Sequence, residues 1–278
     1  MNRLLSIELQ KIWKNKASKI LTLTYFILLS FIALIASIKF DIGFFKFHLA
    51  EMGIFNFPFI WHFNTYIAAW LKFFLAIVIV SMMANEYSYG TLKQNLIDGL
   101  SKKEFVLSKF LMVVLFALCS TIFVFIMSLI LGFCFSSYNE FDVILMDLDY
   151  LLAFFVKLTG FFSFCLFAGI LVKRSAFALG FLLVWLFIES LIRGFLAFWI
   201  FPDSNYDEKI AQFLPFESMS NLIVLPFSRL SAIRNLQNQI GYENNIDYSV
   251  NYFSILIVLI WTFLFVYFSY KILKNRDL

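Results

Sequence analysis

The chain has 278 residues, of which 62% are hydrophobic and 14% charged, and Phe alone fills 39 positions. A soluble domain is about 25% charged, so this chain has too few polar side chains to cover a water-facing globule of its size. Disorder is excluded as well, because it needs low hydrophobicity with high net charge, and the formal net charge here is +4. What remains is a polytopic membrane protein.

Long uncharged runs mark the spans, since a helix needs roughly 20 apolar residues to cross a bilayer core of about 30 Å. The expected spans are 20–38, 59–84, 110–135, 150–172, 176–201 and 250–270, six in all, within a single transmembrane unit covering 1–278. Lipid leaves backbone groups no partner outside the segment, so helices or closed barrels are the options. The runs are apolar on every face and too long for barrel strands, and the fold class is therefore an all-α membrane protein.

Residues 1–18 precede the first span. Leu5, Leu9, Ile12 and Trp13 fall at helical spacing on one stripe, with Glu8 and Lys11 nearby. The segment reads either as a basic amphipathic helix on the membrane surface or as a charged flank that orients the first span. A cleaved secretory signal fits less well, because the basic region is long and no clear A-x-A site follows.

Alternating the loops across the membrane puts the N-terminal segment, 85–109, 173–174 and 271–278 on one side, with 14 Lys and Arg against five acids. The other side, with 39–58, 136–149 and 202–247, has five bases and 12 acids. The positive-inside rule makes the first side cytoplasmic, so both termini are expected inside.

The loop at 86–108 is the one sizeable cytoplasmic connection. Gly90 punctuates the exit from the second span, and Thr91 is placed to cap a short helix running Leu92–Ile97. Asp98-Gly99 is a turn signal. Ser101 followed by Glu104 forms a capping box that starts the third span. Leu92, Leu96, Ile97 and Leu100 make a candidate apolar docking surface, flanked by Lys102 and Lys103. The alternative is a hairpin lying on the membrane with no partner.

This region resembles the signature of permease subunits of type-2 ABC exporters. There an acidic residue closing the second span is followed by Gly-Thr, a short coupling helix, a turn with basic residues and a Lys opening span three. Glu86, Gly90-Thr91, Leu92–Leu100, Lys102-Lys103 and Lys109 stand in that order here. Many members carry Thr-Pro before the basic residues, whereas this chain has Asp98-Gly99-Leu100-Ser101. Glu8, Lys11 and Trp13 resemble the family's elbow helix. The likeness covers the whole chain in layout and about 40 residues in motif.

The resemblance implies a second permease subunit, homodimeric or paralogous, and a separate cytosolic ABC ATPase that supplies ATP and Mg. It also implies a bacterial inner-membrane location and export of an amphiphile, peptide or other hydrophobic compound by alternating access. The chain has no G-x-x-x-x-G-K-[ST] loop, so it is not expected to bind ATP itself or to act as an enzyme. The rival readings are an ATP-independent carrier or channel, and a complex for sensing or resistance.

Four charges fall inside spans: Lys72, Lys157, Glu189 and Arg193. At a rise of ~1.5 Å per residue, Glu189, Lys72 and Lys157 share a depth in the outer half of the membrane. They form an internal cluster, or else the lysines snorkel outward and Glu189 pairs with Arg193 at i,i+4. The connection 202–248 is apolar-rich and broken by Pro215 and Pro226, which fits short re-entrant or interfacial helices better than a loose loop. Cys119, Cys134 and Cys165 fit no disulfide or zinc pattern. No metal site, no catalytic motif and no nucleic-acid surface is expected.

Overall fold

The computed structural model describes residues 2–38, 40–42, 45–47, 52–138, 140–202, 206–229 and 247–276. The parts of the 202–248 connection at 203–205 and 230–246 lie outside the described residues. The chain runs α1 (Asn2–Lys14), α2 (Lys16–Ser37), β1 (Phe40–Ile42), β2 (Phe45–Phe47), α3 (Phe59–Trp70), α4 (Lys72–Ser88), α5 (Thr91–Ile97) and α6 (Lys102–Phe135). It continues through α7 (Phe141–Leu145), α8 (Asp149–Val172), α9 (Ser175–Phe195), α10 (Tyr206–Ala211), α11 (Pro215–Ser220) and α12 (Tyr252–Lys274). The small antiparallel hairpin β1–β2, with Phe40 opposite Phe47, is an exception to the expected all-α chain.

Among the described residues, five helices are long and apolar enough to cross a membrane: α2, α6, α7 with α8, α9 with its extension, and α12. The expected span 59–84 is broken rather than continuous. α3 and α4 meet at Leu71 with a 45° bend, and counted as one broken span they bring the number of candidate spans to six. No proline sits at the break. The expected span 176–201 changes character near its end, where Leu196–Ile200 adopts π-helix.

The bundle is built around α8. It packs against α12, α4, α6, α9 and α3. In the most apolar stretch of α7–α8, 78% of residues are buried, against 17% for α9 with its extension and 22% for α2. α9 turns Phe177, Leu183, Phe187 and Leu191 outward, and α2 turns Ile20, Ile27 and Phe31 outward, as lipid-facing surfaces should. Two glycines let α8 approach its neighbours. A Cβ at Gly160 would stand 2.8 Å from Val258 Cγ1 on α12, and one at Gly169 would stand 2.9 Å from Met83 Cβ on α4. Small residues at such crossings substitute backbone packing for the hydrophobic drive that lipid removes.

Local signals set the helix ends near the basic loops. Asn15 caps α2 by accepting from Ser18 N at 3.2 Å. The Ser101–Glu104 capping box is formed in both directions, at 3.2 and 2.9 Å. Gly99 has φ +96 and ends the α5 turn as Asp98-Gly99 implied. Thr91, however, is not the cap of α5. That position is Gly90 at φ +66, a left-handed conformation suited to glycine.

Candidate functional site

The amphipathic face of α1 differs from the expected stripe. Glu8 and Ile12 turn inward, Leu5 is half-buried against the core, and Leu9 and Trp13 stay exposed. The helix therefore presents a carboxylate, not only apolar groups, to the bundle.

That carboxylate meets a buried lysine. Lys109 Nζ, on the second turn of α6, lies 2.5 Å from Glu8 Oε2 and 2.5 Å from Glu86 Oε1. Lys11 Nζ lies 2.8 Å from Glu86 Oε1 and 3.3 Å from Glu8 Oε1. The two acids and two bases balance. Lys109 is fully buried and Glu86 nearly so. Buried charges are tolerated when paired and hydrogen-bonded, and taking one away leaves its partners stranded at a cost of ~3–5 kcal/mol. For Lys11, burial lowers the pKa, and the hydrogen bond it donates to Glu86, with the charges of Glu8 and Glu86, more than offsets it, leaving the group above its ordinary value.

The other oxygen of Glu86 faces the short helix. Thr91 Oγ1 donates to Glu86 Oε2 at 2.6 Å, and Asn95 Nδ2 reaches the same atom at 3.5 Å. One carboxylate thus joins α1, α4, α5 and α6. Leu92 is buried, and Leu96 and Leu100 pack against the core from part-buried positions. Of the four apolar residues expected to dock a partner, only Ile97 is widely exposed. The outward face of α5 consists of Lys93, Gln94 and Ile97, with Tyr89 beside it.

The same end of the bundle gathers the other basic segments. Lys102 Nζ donates to the carbonyls of Arg276 at 2.9 Å and Lys274 at 3.2 Å, while Lys103 is exposed. Arg276 donates to Ile170 O at 2.5 Å and Leu171 O at 2.8 Å, occupying carbonyls that the end of α8 leaves without helical partners. Asn95 and Arg276 had no sequence signal, because their partners lie on other elements.

A second group of polar residues lies within the spans. Lys72, Lys157, Glu189 and Arg193 line one cavity of about 570 Å³. The expected i,i+4 pair is not what forms there. Arg193 pairs with Glu217 of α11 at 2.8 Å. Glu189 accepts from Trp185 Nε1 at 2.6 Å and from the backbone amides of Phe216 and Glu217 at 2.9 and 3.2 Å. Of the short helices expected in the 202–248 connection, the described residues form α10 and α11, and α11 is held at its start by Glu189. Lys157 is buried, which departs from the snorkelling alternative.

On α3, buried His62 meets a later part of that connection, at Val224 and Arg229. Its Nε2 lies 2.7 Å from Val224 O and its Nδ1 3.1 Å from Arg229 Nη1. A carbonyl can only accept and a guanidinium can only donate, so the neutral ring with its proton on Nε2 satisfies both. The ring stacks on Tyr150, and the Tyr150 hydroxyl bonds Tyr248 O.

No cluster of three or more His, Cys, Asp or Glu suited to a metal occurs among the described residues.

The long apolar helices and the closed helical packing define a multi-span integral membrane protein. The chain belongs to the family described as "Protein of unknown function (DUF2705)", whose profile matches residues 27–278. No curated protein matches it.

Proposed function

We propose that this chain is the membrane-spanning permease subunit of an ATP-driven ABC transporter. It works with a second permease subunit and separate cytosolic ATPases that bind ATP and Mg, and it moves a hydrophobic or amphiphilic compound or peptide out of the cell. The observation that supports this reading best is the way Glu86 binds α5 into the bundle. A force applied to α5 reaches α1, α4 and α6 through buried, charge-assisted bonds rather than through a slack loop. A lever of this kind is what an external motor needs to turn closure into motion of spans. The order Glu86, Gly90-Thr91, coupling helix, Lys102-Lys103, Lys109 supports the same reading.

The docking contact is assigned to the outward face of α5, centred on Ile97. Leu96 is unsuitable for a test, since it packs inward and a charge there would disturb the bundle. The chain is to be affinity-captured from its native membranes together with any P-loop ATPase that accompanies it, and ATP hydrolysis by the captured material measured for the unaltered chain and for the Ile97→Asp variant. Recovery of a stable complex whose ATPase rate depends on Ile97 supports the proposal. Transport by the purified chain alone, indifferent to deletion of residues 89–99, excludes it.

A further inference from the structure

Three breaks in helical regularity converge on the intramembrane cavity. The α3–α4 bend places Trp70, Lys72 and Phe73 on its wall. The π-helical segment contributes Ala197 and Phe198, and α11 contributes Phe216, Glu217 and Ser220. Irregular backbone at membrane depth is tolerated where it lines a cavity, and π segments recur at functional sites. Broken spans facing charged groups are a common way to build a ligand site within a bilayer.

The charges there do not cancel. The carboxylates are already engaged: Glu217 with Arg193, and Glu189 with Trp185 and two backbone amides. The two lysines are not. Among the described residues neither Lys72 nor Lys157 has a carboxylate within 4.0 Å. Lys157 is only 5% exposed, and its hydrogen-bond contact is Ser220 O at a long 3.5 Å. Lys72 Nζ sits 4.4 Å from the Phe161 ring centroid and 5.9 Å from that of Phe73. Aromatic faces replace part of the lost hydration but supply no counter-ion. An amine held in low dielectric carries its charge at least cost when an anion stands beside it, so two such groups facing one cavity favour an anionic ligand over a neutral or cationic one. Beside them stand exposed Trp70 and Phe198, an apolar path for a chain.

We propose that this cavity binds an anionic amphiphile, its carboxylate or phosphate headgroup between Lys72 and Lys157 and its acyl chain along Trp70 and Phe198. The site needs no ATPase and stands whether or not the chain is a transporter subunit. Its ligand is either a resident anionic lipid or a single-chain acid arriving from solution, and the two share the same headgroup chemistry.

The test uses the full chain in phosphatidylcholine nanodiscs and tritiated palmitate as the probe. Saturable binding is expected, with displacement by phosphatidylglycerol if the resident is a lipid and by laurate alone if the site takes single-chain acids. Lys72→Met with Lys157→Met should weaken palmitate binding at least tenfold, and Lys157→Arg should retain it. Methionine keeps an unbranched apolar side chain, and the variants are compared at equal gel-filtration homogeneity. A measurement on the unaltered chain guards against misfolded variants: dodecyltrimethylammonium should compete at least tenfold more weakly than laurate. Equal competition by the cationic and anionic detergents, or unchanged palmitate binding in the double variant, overturns the proposal. So does displacement of palmitate by millimolar inorganic phosphate as effective as that by laurate, because the acyl chain would then contribute nothing.

Discussion

Glu86 and Lys109 stand 23 positions apart in the chain, and their side chains meet at 2.5 Å. That single contact ties the last turn of α4 to the start of the membrane portion of α6, and so fixes both ends of the 86–108 connection. Glu8 and Lys11 complete the set from α1.

Lys109→Met leaves Glu8 and Glu86 sharing one remaining cation, Lys11. The expected loss is ~3–5 kcal/mol, read as a fall in the thermal midpoint in detergent. Adding Glu86→Gln to Lys109→Met should restore part of that loss, so the double variant should be less damaged than the two single effects summed. Strict additivity would mean that the two groups do not act as a pair.

Two neighbouring apolar residues on α5 should respond in opposite ways. Leu92 is 2% exposed and Ile97 is 75% exposed. Leu92→Glu buries a charge without a partner and should abolish monodisperse purification. Ile97→Glu should leave stability within ~0.5 kcal/mol of the original, as surface changes do, and should reduce retention of the proposed ATPase partner. Size-exclusion profiles and pull-down yields measure the two effects separately.

Glycines separate the tight crossings from the open ones. Gly169→Val drives a branched side chain towards Met83 and should cost about 1–3 kcal/mol. Gly180→Ala meets nothing within 4 Å and should be neutral or slightly stabilising, because alanine is the better helix former. Chemical-denaturation midpoints of both variants provide the comparison.

Glu189→Gln keeps one acceptor oxygen where the native group has two. Either Trp185 or the amides of Phe216 and Glu217 then lose their partner. Hydrogen exchange at Phe216 and Glu217 should rise roughly ten- to hundredfold, in line with the ~1.5–3 kcal/mol of a bond to a charged group. Unchanged protection would show that α11 is held by its apolar contacts alone.

The spans were legible because long apolar runs, three of them free of charge over 19 or more residues and three interrupted by one or two charges, have one inexpensive fate in a membrane. The capping box at Ser101 and the turn at Gly99 were legible for the same local reason: the residues that form them are three or fewer positions apart. What sequence could not reveal was rotation. Leu92, Leu96, Ile97 and Leu100 are chemically alike, and only contacts with α4 and the core decide which of them faces out. Arg193 offered a pairing at i,i+4 with Glu189, but Glu217 stands nearer to its guanidinium on an element 24 residues further along. The bend at Leu71 lacks proline or glycine, the usual local marks of a broken helix. Glu8 and Lys109 were visible as charges flanking spans, and their meeting depended on how α1 folds back against α6.

The enclosure of α8 also bears on how freely this sequence can change. A helix surrounded by protein answers to the shapes of its neighbours, so each replacement along it must be matched by one opposite. α2 and α9 answer chiefly to fluid hydrocarbon, where leucine, valine or phenylalanine serve alike. Variation among relatives should therefore be sparse and paired along α8, and plentiful and unpaired on the outward faces of α2 and α9.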